Sequence, residues 1–237
     1  MASTLRDREI VLAGGSGGLG SATAELLAAE GARVVVGYRA NRERAQRLSS
    51  IAAIVQADLS QPADRARLLD ACPKLDALVV FSGNPARGPA SEETLRLSFE
   101  VNFAGPILLA REAAERMKAS GAHGSIVLLS TMQASSLFAG STAYAAGKAA
   151  LLHAARILAK ECRGPVNIRV NVICPGVNQA GMAEASIASG KYDRYLAEGI
   201  IPRFGSAVDV ARAVRFFLEP DNYVTGQVLT VDGGLTL

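Results

Sequence analysis

The sequence predicts a doubly wound α/β fold, one domain built on a seven-stranded parallel sheet with helices on both faces. Two patterns carry that expectation. Short β-branched runs recur between longer helical patterns along the chain. The runs are almost continuously apolar instead of alternating, as strands covered on both faces must be. Intervening lengths suit crossover helices, and right-handed crossovers then fix most of the topology.

The strand candidates are Ile10-Val11-Leu12, Val34-Val35-Val36, residues 51–55, Leu78-Val79-Val80, and residues 126–129, 168–173 and 228–231. Helical periodicity covers residues 18–30, 42–49, 63–71, 92–119, 143–162 and 208–218. Residues 177–205 break the alternation; with four glycines and several charges they read as a mobile lid over a site. Residues 1–237 are expected to form a single domain.

With 49% hydrophobic and 20% charged residues, the chain can bury one sizeable core. A formal charge of +3, with Lys and Arg scattered, argues against nucleic acid as a partner. Cys72, Cys162 and Cys174 are odd in number, widely spaced and free of any Cys-x-x-Cys pair, so no disulfide framework or metal site is expected. A reducing compartment fits. Residues 1–9 are polar and run directly into the first strand, and no run approaches eighteen apolar residues; a cytoplasmic protein without a membrane segment is expected.

The loop Ala13-Gly14-Gly15-Ser16-Gly17-Gly18-Leu19-Gly20 follows the first strand and opens the first helix. There a tight turn and a close backbone approach to a pyrophosphate both need missing side chains, and the helix N-terminus adds N–H groups and positive dipole. Gly15, Gly17 and Gly20 fit one dinucleotide spacing; Gly14, Gly18 and Gly20 fit another, Gly-x-x-x-Gly-x-Gly. The fold class is thereby a Rossmann one, with Gly14, Ser16, Gly18, Leu19 and Gly20 as cofactor contacts. The same loop also reads Gly-x-Ser-x-Gly, the nucleophile elbow of hydrolases. That mechanism needs a later acid and histidine, and the only histidines are His123, in a loop, and His153, inside a helix.

The second strand ends Val36-Gly37-Tyr38-Arg39-Ala40-Asn41-Arg42 without the carboxylate that would bind ribose hydroxyls. Arg39, helped by Arg42, suits a 2′-phosphate through charge-assisted bonds, so NADPH/NADP is expected over NADH; the alternative is a solvated arginine. Asp58, followed by Leu59, is placed to reach an adenine edge or to cap a helix.

Tyr144 and Lys148 stand four apart in Tyr-Ala-Ala-Gly-Lys, on one face of a helix. An adjacent ammonium would lower a phenol's pKa from about 10 toward neutrality, making Tyr144 a proton donor for a substrate oxygen. Lys148 would also hold the nicotinamide ribose.

In order, the glycine loop, Asn102, Tyr144, Lys148, Asn171-Val172-Ile173-Cys174-Pro175-Gly176 and Val231-Asp232-Gly233-Gly234 resemble the short-chain dehydrogenase/reductase family over essentially the whole chain. Arg203-Phe204-Gly205 and the run from Thr225 to Gly234 look like its bacterial 3-oxoacyl-acyl-carrier-protein reductases. The resemblance implies hydride transfer between nicotinamide and a carbonyl or alcohol, Asn102 ordering a water relay, and Gly83, Pro175 and Gly176 beside the cofactor. It also implies a homotetramer or homodimer. A non-catalytic nucleotide-binding regulator, or oxidation of a sugar, steroid or polyol, are the alternatives.

Three departures stand out. Thr131, with Ser130 beside it, replaces the family serine thirteen residues before Tyr144. Val80-Phe81-Ser82-Gly83 replaces Asn-Asn-Ala-Gly, with Asn84 out of register. Ala180 replaces a threonine, for which Asn178 and Gln179 would substitute. In the presumptive lid, Met182, Ile187, Tyr192, Tyr195 and Ile200 suggest an apolar wall, while Lys191, Arg194 and Arg203 would attract an anion.

Overall fold

The computed structural model describes residues 5–88 and 91–237. All seven expected runs become strands: β1 (Glu9–Ala13), β2 (Arg33–Tyr38), β3 (Ala52–Gln56), β4 (Leu75–Val80), β5 (Ser125–Leu129), β6 (Arg169–Pro175) and β7 (Val228–Val231). They form one sheet in the order β3-β2-β1-β4-β5-β6-β7, with every pairing parallel.

Neighbouring strand residues point to opposite faces, and each face has its own core. Val11, Val35, Leu78 and Ile126 pack under α3 (Pro62–Asp70), α5 (Gly105–Ser120) and α6 (Thr142–Glu161). Ile10, Val34, Val79 and Val127 pack under α1 (Gly18–Ala29) and α9 (Ala207–Leu218). A strand covered on both faces cannot show polar alternation, which is why its apolar runs are unbroken.

Buried polar groups tie the layers together. The Arg169 guanidinium donates to the carbonyls of Phe217 (2.9 Å) and Glu219 (2.8 Å), and the Ser125 hydroxyl donates to Phe217 as well (2.8 Å), closing the C-terminus of α9 onto the sheet. Asn171 donates to the Val224 carbonyl and accepts from the Gln227 amide, fixing the entry to β7.

Two helical expectations are corrected. The helix expected over 42–49 is regular only in α2 (Arg42–Gln46) and continues as turns. The long helix expected over 92–119 is broken: α4 (Glu92–Phe99) runs into a wide π turn at Glu100–Ala104 before α5 begins. Pro106 explains the break. A proline has no N–H for the carbonyl four residues earlier, that of Asn102, and its ring crowds that carbonyl; widening the turn relieves both problems.

Residues 177–205 are also more ordered than their composition suggests. They hold a short 3₁₀ turn (Gly181–Ala183), α7 (Glu184–Ala188) and α8 (Asp193–Ala197). Met132, Val177, Ile201 and Phe204 form a small separate core beneath them. Among the described residues, no helix is long and apolar enough to cross a membrane.

Candidate active site

The strand order reverses between β1 and β4, and a cleft opens there beyond the carboxyl ends of the strands. It encloses about 1070 Å³, at the upper end of small-molecule sites. Its lining includes Gly14, Ser16, Gly18, Leu19, Gly20, Arg39, Asp58, Leu59, Gly83, Thr131, Tyr144, Lys148, Pro175 and Gly176. Asn102, Arg42, Gln179, Ile187, Ile200 and Arg203, also expected at the site, do not line the cavity.

At the glycine loop, sterics choose between the two spacings the sequence allowed. Gly14 has φ +73°, and a Cβ there would lie 3.0 Å from the Ser82 amide nitrogen. A Cβ on Gly18 would meet the Gly181 nitrogen at 2.7 Å, and one on Gly20 would meet Gly15 Cα at 2.6 Å. Gly17 would touch only the Gly14 carbonyl, at 3.4 Å. A Cβ on Gly15 would also lie 2.7 Å from Leu12 Cβ, so Gly14, Gly15, Gly18 and Gly20 are all required and Gly17 alone is dispensable; this satisfies Gly14-x-x-x-Gly18-x-Gly20 in full. Helix α1 has no side-chain cap at Gly17 and no acidic residue in its first turn. Its N–H groups and positive dipole thus face the cleft uncompensated, which suits a pyrophosphate.

At the end of β2, Arg39 and Arg44 line the cavity, whereas Arg42 does not. Arg44 was missed in the sequence. Its placement follows from Asn41, whose side chain accepts the Arg44 amide (2.8 Å) and starts α2 so that Arg44 faces inward. The signal was an Asn three residues before an arginine. Among the described residues, neither guanidinium is ion-paired. Asp58 lines the cavity but caps no helix, since the cap of α3 is Gln61; Asp58 accepts the Ser60 amide instead (3.0 Å). Leu59 is pinned through its carbonyl by Arg65 (2.8 Å), a buried guanidinium paired with Glu112.

The chemical end centres on Thr131, Tyr144 and Lys148. Ser130 and Thr131 both line the cavity, but the Ser130 hydroxyl donates to the Lys148 carbonyl (2.9 Å), whereas the Thr131 hydroxyl lies beside Tyr144. Lys148 is 2% exposed, and its Nζ donates to the carbonyls of Ser82 and Leu129, each at 2.8 Å. Burial holds its pKa down to about 7.

The expected lowering of the Tyr144 pKa is corrected. Burial pushes that phenol up to about 12, the Cys174 thiol adds to the rise, and the Thr131 hydroxyl opposes it. Lys148 has no part in the balance, because its ammonium is directed at the ends of β4 and β5 and is itself only half-charged near neutrality.

Asn102, fully buried in the π turn, donates to the Asn84 carbonyl (2.9 Å) and to the Ser98 hydroxyl (2.8 Å), and accepts the Asn84 amide (2.8 Å). Asn84 is out of register for its side chain, but its backbone supplies the missing polar partner. Gly83 sits between these groups: a Cβ would lie 3.5 Å from Asn102 Oδ1 and 3.6 Å from Lys148 Nζ.

Over this end lies the 181–201 segment. Gly181 donates to Glu184 (2.6 Å), and Arg87 donates to the Met182 carbonyl (2.8 Å). Ala180 and Asn178 line the cavity, whereas Gln179 does not. Asn178 is buried, donates to the Gly176 carbonyl (2.9 Å), and its Oδ1 has no partner among the described residues. Arg203 is removed from the predicted anion set, because both its terminal nitrogens bond Asp209 (2.7 and 2.9 Å) outside the cavity.

Comparison with known proteins agrees with this architecture. A family model described as enoyl-(acyl carrier protein) reductase matches residues 13–236. The chain is 33% identical to an NADPH-dependent aldehyde reductase-like protein, chloroplastic, of Arabidopsis thaliana, covering 97% of this chain and 94% of that one. It is 32% identical to a 3-oxoacyl-acyl-carrier-protein reductase of Rattus norvegicus, covering 98% and 99%. A solved 7α-hydroxysteroid dehydrogenase, in complex with NADH and 7-oxo glycochenodeoxycholic acid, superposes with TM-score 0.90 at 29% identity, covering 98% of this chain and 96% of that one. The chain belongs to the short-chain dehydrogenase/reductase family and is an oxidoreductase.

Proposed function

From that membership we propose that the chain is an NADPH-dependent carbonyl reductase in which Tyr144 donates the proton and Thr131 polarises the substrate oxygen. The observation that carries the reading is the paired hydroxyls of Thr131 and Tyr144 on the cavity wall. A reduced nicotinamide in the cleft supplies the hydrogen and electron pair that reach the carbonyl carbon. Tyr144 passes its proton to the carbonyl oxygen as the C=O π bond breaks, and Thr131 donates a hydrogen bond to the same oxygen. The balance is carbonyl, NADPH and one proton in, alcohol and NADP⁺ out. Lys148 and Gly83 would hold the nicotinamide ribose, Arg39 and Arg44 the 2′-phosphate, and Asp58 and Leu59 the adenine.

Residues 177–205 are the substrate lid. The exposed apolar side chains of Leu95 and Phe99 on α4 and Ile157 on α6 support a homo-oligomer, which a stable monomer in sedimentation velocity at micromolar concentration would refute.

The deciding experiment follows NADPH absorbance across ketones, aldehydes and 3-oxoacyl thioesters, with calorimetric NADPH titration alongside. Turnover of at least one compound is expected. Tight NADPH binding with no turnover anywhere in the panel would reject the reading.

A further inference from the structure

The lid carries a second recognition element at the cavity mouth. Tyr192 and Tyr195 stack with ring centroids 6.1 Å apart and planes inclined by 16°. Lys191 Nζ lies 5.6 Å from the Tyr192 centroid, and the Arg194 guanidinium carbon lies 5.0 Å from that of Tyr195. All four residues line the cavity. The tyrosines pack on the small core of Met132, Val177, Ile201 and Phe204, and Met132 directly follows Thr131. An apolar path thus runs from the reacting hydroxyls to two cations seated on aromatic rings.

Those cations differ from the other lid cation. Arg203 is neutralised by Asp209, whereas neither Lys191 nor Arg194 is ion-paired among the described residues. Glu184 accepts the Gly181 amide, Asp193 stands beside Arg194 in the chain without an ion pair among the described residues, and the Arg194 pKa is raised chiefly by its hydrogen bond to Tyr195, with Glu198 adding a smaller part. Arg87, also lining the cavity, adds a third positive charge through the wall it shares with Met182. One Arg194 nitrogen donates to the Tyr195 hydroxyl (3.5 Å), and the ring restrains the guanidinium while its remaining N–H groups face a ligand.

We propose that the substrate is a carbonyl compound with an apolar body and an anionic group, carboxylate or phosphate, held by Lys191 and Arg194 at the mouth while the body lies along Met132, Tyr192 and Tyr195. This rests on the reductase reading and narrows it. Charge at the mouth selects the substrate and orients its carbonyl inward toward Thr131 and Tyr144.

The test uses straight-chain methyl-ketone carboxylates with two to eight methylenes between the carbonyl and the carboxylate, each beside its methyl ester. In low salt, kcat/KM is expected to favour the acid over its ester by about tenfold or more at the best chain length, as charge-assisted bonds require. The preference should shrink as salt rises, because the site is exposed. In the double variant Lys191→Glu/Arg194→Glu, checked for folding by its NADPH affinity, the acid-to-ester ratio should fall to one or below. Equal turnover of acids and esters at every length, or a preference that survives the charge reversal, overturns the proposal while leaving the reductase reading standing. Should no compound turn over, calorimetric titration of 6-oxoheptanoate into the NADPH complex decides. Binding lost on charge reversal keeps the anion site although the reductase reading has failed; absence of binding overturns the site too.

Discussion

At the nucleotide end of the cavity the chain presents backbone: Gly14, Gly18 and Gly20 admit close approach, and the bare N-terminus of α1 supplies N–H groups. At the substrate end it presents side chains: Thr131 and Tyr144 on the wall, with Lys191, Tyr192, Arg194 and Tyr195 on short helices above. The first end binds what every relative must bind, using groups no substitution can remove except by adding a Cβ. The second varies with each side chain and can be re-specified without touching the sheet. The difference teaches where chemistry is fixed and where selectivity is free to change.

The largest expected effect breaks the substrate end alone. Tyr144→Phe keeps the ring and removes the acid; turnover should fall by roughly 10²–10⁴-fold, while calorimetric NADPH affinity stays within about twofold. Wild-type turnover in that variant would remove Tyr144 from the mechanism. Loss of cofactor affinity instead would mean that the two ends are not separable.

A smaller effect belongs to the nucleotide end, in the one part of it that uses side chains. Arg39→Asp should move the NADPH-to-NADH affinity ratio toward NADH by roughly 10–100-fold, the worth of a lost charged hydrogen bond plus new repulsion. Arg44→Asp should act likewise. Arg42→Asp, outside the cavity, should change the ratio by less than about twofold, so equal responses from Arg42 and Arg44 would contradict the placement of α2.

The smallest effect sits between the two ends. Lys148 is held near 7 when folded and titrates at about 10.5 when unfolded, so between those values the unfolded chain binds a proton that the folded chain does not. Its contribution therefore makes stability rise with pH from about 7 to 10.5, with the full burial penalty present below 7. Denaturant unfolding at pH 7 and 9.5 should show a rise that is smaller in Lys148→Met by roughly 1–3 kcal/mol. An identical rise in both proteins would show that the lysine is not buried as a half-charged group.

Much of this was legible in advance, for a local reason. Each of the seven strands announces itself by an apolar run, imposed in the five inner strands by burial on both faces but not in the more exposed edge strands β3 and β7, and the glycine loop by spacing that backbone contact imposes. The break at Asn102 was also legible in Gly105-Pro106, yet helical periodicity across 92–119 masked it. Spacing along a helix put Tyr144 and Lys148 on one face but could not say where the ammonium turns. That is decided by the carbonyls of Ser82, just past β4, and Leu129, at the end of β5, 66 and 19 residues away.

The sequence by itself determined the sheet, most of its helices and the nucleotide loop, because these follow from neighbours along the chain. Tertiary structure alone decided that the Ser130 hydroxyl is committed to the Lys148 carbonyl while that of Thr131 lies beside Tyr144, and that Arg203 is spent on Asp209 while Arg194 is not. The first outcome depends on a carbonyl 18 residues away and the second on a carboxylate 6 residues away, contacts of about 3 Å that close only in the folded chain.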